Sequence, residues 1–167
     1  ATDDQFSQLV GRLKGQGGEV SGELVVTSLS SMSHLLVPVL TEFQQMHPGL
    51  VIRYLTGERL FRLEYGEAHV ALRAGNAPDQ PDNVVQPFLK QKIGLFAAQS
   101  YIDRHGPLKG IDDLKNHQFV GTDNQDSRAP FNQWLREHTT EETIIFRCSD
   151  GVAMQEAVMA GAGIGFM

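Results

Sequence analysis

From Glu23 onward the apolar positions switch between two periodicities. Leu24-Val25-Val26-Thr27 is a β-branched run that predicts a strand. Residues 34–46 then place Leu35, Leu36, Val39, Leu40, Phe43 and Met46 on one helical face. His47-Pro48-Gly49 stops that helix, and Leu50 to Leu55 predicts a second strand. A parallel crossover needs about a dozen connecting residues or more, and Ser28 to Gly49 supplies them, so the two strands are expected to lie parallel with a right-handed connection.

The alternation continues through a short helix around Leu60–Glu64, a strand at Val70–Arg73, a Pro/Asp/Asn-rich loop from Asn76 to Asn83 and a strand at Val84–Leu89. A second series follows: strand Ile93–Ala97, helix Gln99–Arg104, strand Gln118–Val120, helix Pro130–Glu137, strand Thr143–Phe146 and helix Val152–Met159. The run from Val84 to Ala98 contains no helical pattern and is the candidate hinge between two α/β lobes. Phe6, Leu9, Val10 and Leu13 recur at helical spacing before Gly15-Gln16-Gly17-Gly18, so residues 3–14 read either as a linker helix with a flexible joint after it or as a tail. Pro38 is tolerated best in a helix's first turn, which predicts that regular helix begins near Leu35 and leaves Ser28–Ser31 in an accessible loop.

Composition narrows the function classes. At 167 residues, with 41% hydrophobic and 20% charged positions, the chain can bury a sizeable core as one domain or two small lobes. Twenty acidic against fourteen basic residues give a net charge of −6, which offers no general attraction to DNA phosphates or anionic membranes. Pro, Gly or charged residues interrupt every apolar segment before the roughly 18 residues a membrane span needs. The single cysteine, Cys148, cannot form an intrachain disulfide and fits a reducing compartment, although Ala1-Thr2-Asp3-Asp4 also fits a mature N-terminus left by signal cleavage.

Candidate chemistry lies at the predicted strand ends. Thr27-Ser28-Leu29-Ser30-Ser31-Met32-Ser33 joins the first strand to the first helix, where unpaired N–H groups and the helix dipole favour an anion. One serine there is enough to cap the helix, so the rest are candidates for a ligand. Thr56-Gly57, Thr122-Asp123-Asn124 and Ser149-Asp150-Gly151 sit at equivalent ends. Each also reads as turn or capping chemistry, and for Asp150 capping is the leading reading. If the lobes face one another, these loops meet in an interlobe cleft.

Other motifs point to structure. Gly161-Ala162-Gly163-Ile164-Gly165 closes a helix, whereas a dinucleotide fingerprint must open one, so it reads as a helix C-terminal glycine and a tight turn into a buried strand. The six histidines show no metal-binding spacing, and there is neither a nucleophile elbow nor a P-loop. No metal, cofactor or catalysis is therefore expected. Cys148 reads as a buried small hydrophobe, the alternative being a thiol acidified by Arg147. Trp134, with Phe131 and Leu135, reads as core packing.

An ordered set of short strings runs through the chain. The set comprises Gly22-Glu23-Leu24-Val25-Val26 with its serine-rich loop, Leu36-Val37-Pro38-Val39-Leu40, Phe43, His47-Pro48 and Ala71-Leu72-Arg73-Ala74-Gly75. Tyr101 before Gly106-Pro107, Asp113-Leu114 with His117, and Ala160 to Gly165 complete it, over roughly residues 20 to 167. In this order the set resembles the effector-binding domain of LysR-type transcriptional regulators. The resemblance implies an α/β, periplasmic-binding-protein-like fold of two Rossmann-like lobes joined by a hinge. The segments would be a linker remnant at 1–19, lobe I at 20–90 and lobe II at 91–167, C-terminally incomplete because the return crossover to lobe I is missing. It also implies a cytoplasmic dimer or tetramer whose DNA contact is made by an absent N-terminal winged helix-turn-helix, with no membrane role. By family position Ser30, Ser31, Thr56, Thr122 and the loop at Ser149-Asp150 would face a small effector. With strand-end neighbours Ser28, Gly57 and Asn124, the expected effector-binding set is Ser28, Ser30, Ser31, Thr56, Gly57, Thr122, Asn124, Ser149 and Asp150, for a ligand expected to be anionic. An exported solute-binding protein is the alternative function, and a small α/β enzyme is the third.

Overall fold

The computed structural model describes residues 21–57, 66–75 and 84–167. The linker helix at 3–14, the short helix at Leu60–Glu64 and the loop from Asn76 to Asn83 fall outside the described residues. The chain divides between Lys90 and Gln91 into two compact units.

In the first unit, strand β1 (Gly22–Ser28) is central. It pairs in parallel with β2 (Leu50–Thr56) along its full length, from Gly22 opposite Leu50 to Ser28 opposite Thr56. On its other side it pairs in parallel with β3 (Val70–Ala71). That ladder is lengthened by Leu72 N–H donating to the Thr27 carbonyl at 2.8 Å, and by Val25 N–H donating to His69 Nδ1 at 2.8 Å. Helix α1 (Ser33–Met46) crosses over from β1 to β2 and buries Leu36, Leu40 and Phe43 against Leu24, Val26 and Leu50. Each such side chain, removed from water, contributes about 1.5–3 kcal/mol, so the apolar stripe rather than helix propensity holds α1 in place.

Helix α1 corrects two expectations. A 3₁₀ turn at Ser30–Met32 winds the chain before the helix, with Ser33 N–H donating to the Ser30 carbonyl, so α1 begins at Ser33 and Pro38 stands inside it. Met46 is 61% exposed rather than part of the buried face, because the core ends at Phe43 and the chain turns away at His47.

The second unit carries β4 (Leu95–Phe96), α2 (Gln99–His105), a 3₁₀ helix at Ile111–Asn116 and β5 (Phe119–Thr122). It continues with α3 (Pro130–His138), β6 (Ile144–Cys148), α4 (Gly151–Met159) and β7 (Gly165–Phe166). β5 and β6 are parallel, and β4 and β7 are antiparallel. A parallel bridge between Phe119 and Ile164 joins the two pairs, through Ile164 N–H to the Gln118 carbonyl at 2.9 Å and Val120 N–H to the Ile164 carbonyl at 2.8 Å. Tyr101, Phe119, Leu135 and Ile164 form its main apolar cluster. Trp134 packs edge-on to Phe166 with ring centroids 5.5 Å apart, which places it in the core as expected.

The glycine string behaves as a helix terminator. Gly161, at φ +85°, follows α4, and its N–H donates to the Val158 carbonyl while Ala162 N–H donates to the Ala157 carbonyl. That pair of bonds is the Schellman arrangement. Val84–Leu89, expected as a strand, has no ladder among the described residues, and Val84 is 70% exposed.

Candidate functional site

Within each unit the parallel strands end at a common edge, and most of the expected site residues stand there. In the first unit Ser28 and Thr56 are register partners at the ends of β1 and β2, and Gly57 N–H donates to the Ser28 carbonyl at 3.2 Å. Ser30 and Ser31 follow in the 3₁₀ turn that leads into α1. The structure thus brings Ser28, Ser30, Ser31, Thr56 and Gly57 together.

The hydroxyls in this group differ in employment. Ser28 is buried, and its Oγ donates to the Leu29 carbonyl at 2.9 Å and lies 2.5 Å from Tyr54 Oη. Ser33 Oγ lies 3.3 Å from the same phenol oxygen. Ser28 is therefore committed within the protein, in place of the accessible position expected for it. Ser30 is the opposite case: its Oγ is buried and has no hydrogen-bond partner among the described residues. An unpaired buried hydroxyl costs about 1–3 kcal/mol, so its retention calls for an explanation beyond folding. Among the described residues no side chain caps the first turn of α1, which leaves its positive dipole end without a side-chain acceptor.

In the second unit, Thr122 and Cys148 are register partners at the ends of β5 and β6, and Asp123 N–H donates to the Cys148 carbonyl at 2.8 Å. Thr122 Oγ1 accepts from Asn124 N–H at 3.1 Å, and Asn124 Oδ1 accepts from Asp126 N–H at 3.0 Å, so both side chains shape the turn. Ser149 is exposed directly after β6. Asp150 caps α4, its Oδ1 accepting from Ala153 N–H at 2.9 Å. Thr122, Asn124, Ser149 and Asp150 are thus together at one edge, with Asp150 and part of Asn124 already engaged.

Cys148 is buried, and burial pushes its thiol pKa up, with the Asp150 carboxylate adding to the shift. This is the buried small hydrophobe expected, and the alternative of acidification by Arg147 falls: that side chain points its Nη1 at the Thr122 carbonyl, 3.5 Å away. Tyr54 was not among the sequence candidates. Its one signal was alternation along β2, which puts Leu50, Ile52 and Tyr54 on the same face. Among the described residues no cluster of three or more His, Cys, Asp or Glu side chains could hold a metal, and no helix is long and apolar enough to cross a membrane.

The model of the LysR substrate binding domain matches residues 17–167. The HTH-type transcriptional regulator CrgA of Neisseria meningitidis serogroup C is 24% identical over 144 residues, covering 84% of this chain and 47% of that protein. An HTH-type transcriptional repressor of Pseudomonas aeruginosa strain UCBPP-PA14 is 25% identical over 167 residues, 96% of this chain and 52% of that one. The chain therefore spans about half the length of these relatives. The structure of the CrgA regulatory domain superposes with TM-score 0.73 at 24% identity, covering 88% of this chain and 72% of that one. Full-length AphB, the Vibrio cholerae virulence activator, gives TM-score 0.70 at 17% identity over 98% of this chain and 57% of that one. The shared fold is the α/β, periplasmic-binding-protein-like one of LysR regulatory domains. With the family model spanning nearly the whole sequence, the chain belongs to the LysR substrate-binding domain family.

Proposed function

We propose that this chain is the small-molecule-sensing domain of a cytoplasmic LysR-type transcription regulator, and that polar strand ends such as those of the first unit contact its effector. The single observation that carries this reading is Ser30: a buried hydroxyl with no partner among the described residues, in the 3₁₀ turn that leads into a fourteen-residue helix whose first turn no described side chain caps. A carboxylate or other anionic group answers both, accepting from the Ser30 hydroxyl and standing at the positive end of the helix dipole. Thr56 and Gly57 on the neighbouring strand supply further polar contacts, and Thr122, Asn124 and Ser149 are the corresponding candidates within the second unit. Ser28 and Asp150 shape their loops.

The effector acts by binding one arrangement of the regulator better than another, which shifts populations without chemistry on the ligand. A winged helix-turn-helix at the N-terminal end of the intact, oligomeric regulator makes the DNA contact, in keeping with the −6 charge of this chain. The relatives matched are regulators, which weighs against a transporter's solute-binding protein and against an enzyme.

The test is a thermal-shift panel of mono- and dicarboxylates against the full-length regulator, followed by titration of each hit. Ser30→Ala and Thr56→Ala are each expected to weaken binding about 5- to 10-fold, the net worth of one hydrogen bond of about 1–1.5 kcal/mol. Unchanged affinity in Ser30→Ala would overturn the assignment.

A further inference from the structure

Three hydroxyls and one carbonyl in the first unit form a directed chain. Ser28 Oγ donates to the Leu29 carbonyl at 2.9 Å, which uses its only proton. The 2.5 Å contact between Ser28 Oγ and Tyr54 Oη must therefore be donated by the phenol. The phenol proton being used, the 3.3 Å contact from Ser33 Oγ must be donated by the serine. The order is Ser33 to Tyr54 to Ser28 to Leu29. It ties the first residue of α1 to the last residue of β1 through a side chain that rises from the neighbouring strand β2. The Tyr54 ring packs against the core of the unit, so the anchor itself is fixed.

Inside this tie sits Ser30. Ser28 and Ser33, on either side of it, have given their protons to Leu29 and Tyr54, and the Ser30 hydroxyl alone is buried without a described partner. We propose that Tyr54 is the positioning residue of the effector site: its hydroxyl holds both ends of the serine loop and so fixes where the Ser30 hydroxyl points. The inference rests on the reading of Ser30 as an effector contact. Preorganisation of this kind raises affinity because the loop is not ordered at the moment of binding.

Tyr54→Phe keeps the ring and removes the tie, and Ile52→Val, which trims a neighbour on the same core without touching the hydroxyl chain, controls for general loosening. In amide hydrogen exchange Tyr54→Phe is expected to speed residues 30–33 about 10-fold, where Ser33 N–H bonds to the Ser30 carbonyl, while Leu40 and Phe43 in α1 stay unchanged. Ile52→Val should not single out that loop. With acetate, succinate and benzoate as probes, Tyr54→Phe is expected to weaken whichever binds about 5- to 20-fold and Ile52→Val less than 2-fold. Exchange at 30–33 that is unchanged in Tyr54→Phe, or that rises equally throughout the first unit, overturns the inference, and so does an affinity loss matched by Ile52→Val. If Ser30→Ala leaves affinity intact while Tyr54→Phe loosens the loop, the Ser30 contact falls and the tie stands. If Ser30→Ala weakens binding and Tyr54→Phe changes neither quantity, the tie alone falls. Should none of the probes bind, the exchange result decides.

Discussion

Removing the Tyr101 hydroxyl probes how far a buried polar relay holds the second unit together. Tyr101 is fully buried, His117 is 3% exposed, and the phenol oxygen lies 2.8 Å from His117 Nδ1 while accepting Gln118 N–H at 2.9 Å. His117 Nε2 lies 3.1 Å from Asp113 Oδ2. The assignment that leaves no proton without an acceptor has the phenol donating to Nδ1 and the ring proton on Nε2 facing the carboxylate. Tyr101→Phe keeps the ring, which stacks on His105 with centroids 4.4 Å apart, so little cavity forms. Two groups lose their partner: the buried His117 Nδ1, at about 1–3 kcal/mol, and the part-buried Gln118 N–H, at about 1 kcal/mol. Moving the ring proton to Nδ1 does not help, because it only transfers the loss to the Asp113 contact. The expected destabilisation is about 2–4 kcal/mol. Urea unfolding followed by the fluorescence of Trp134, which packs against this cluster, should show a midpoint lowered by about 1–2 M for a slope near 2 kcal/mol per M. A loss below about 0.5 kcal/mol would refute the relay, since an exposed hydroxyl behaves that way.

Three further outcomes follow from the same unit. The Asp113 carboxyl is held at about 2, against an ordinary 3.8, chiefly by Asn116 and the Lys109 N–H, with His117 adding. A depressed folded-state pKa means that the unfolded chain binds more protons between those values, so this stabilisation is present above about pH 4 and is lost as pH falls towards 2. Asp113→Asn should flatten that part of the unfolding-versus-pH curve, and equal slopes in the two proteins would contradict it. Gly163→Ala would set a Cβ 2.9 Å from the Gln118 carbonyl oxygen and 3.1 Å from the Phe119 carbonyl carbon, both backbone, so about 1–3 kcal/mol of stability should be lost in the same urea assay. An unchanged midpoint would show that this approach relaxes freely. Cys148, buried and with its thiol pKa pushed up, should react with a thiol reagent at pH 7.5 far more slowly than in urea-unfolded protein; equal rates would count against burial.

Much of the fold was legible because periodicity reports which side chains leave water. β1, α1 and β2 emerged from a β-branched run, an apolar helical stripe and a second β-rich run, and the α-helices and strands from Gln99 to Met159, though not the 3₁₀ turns between them, fell within two residues of their expected bounds. Val84–Leu89 misled because an apolar run says only that a segment could form a strand, whereas a strand also needs a neighbour to bond with. Pro38 misled because the preceding 3₁₀ turn, made by backbone bonds, carries no side-chain signature. At the candidate site the strand ends were readable from position alone. Which serine is committed was not, since Ser28 and Ser30 are chemically identical and are sorted by the Leu29 carbonyl and by Tyr54, the latter more than twenty residues away on another strand.

The Phe119–Ile164 bridge also bears on how the two units are made. β1 and β2 join residues such as Gly22 and Leu50, so the first sheet can begin to zip as soon as residues up to Thr56 are free to fold. Leu95 must wait for Phe166, and the two ladders of the second unit stay separate until Ile164 slides between them. Closing so long a loop is entropically slow, which makes this insertion the late step in assembling the second unit. Until it happens, the chain carries a half-built sheet with open hydrogen-bonding edges, the state in which a nascent polypeptide most needs shielding from its neighbours.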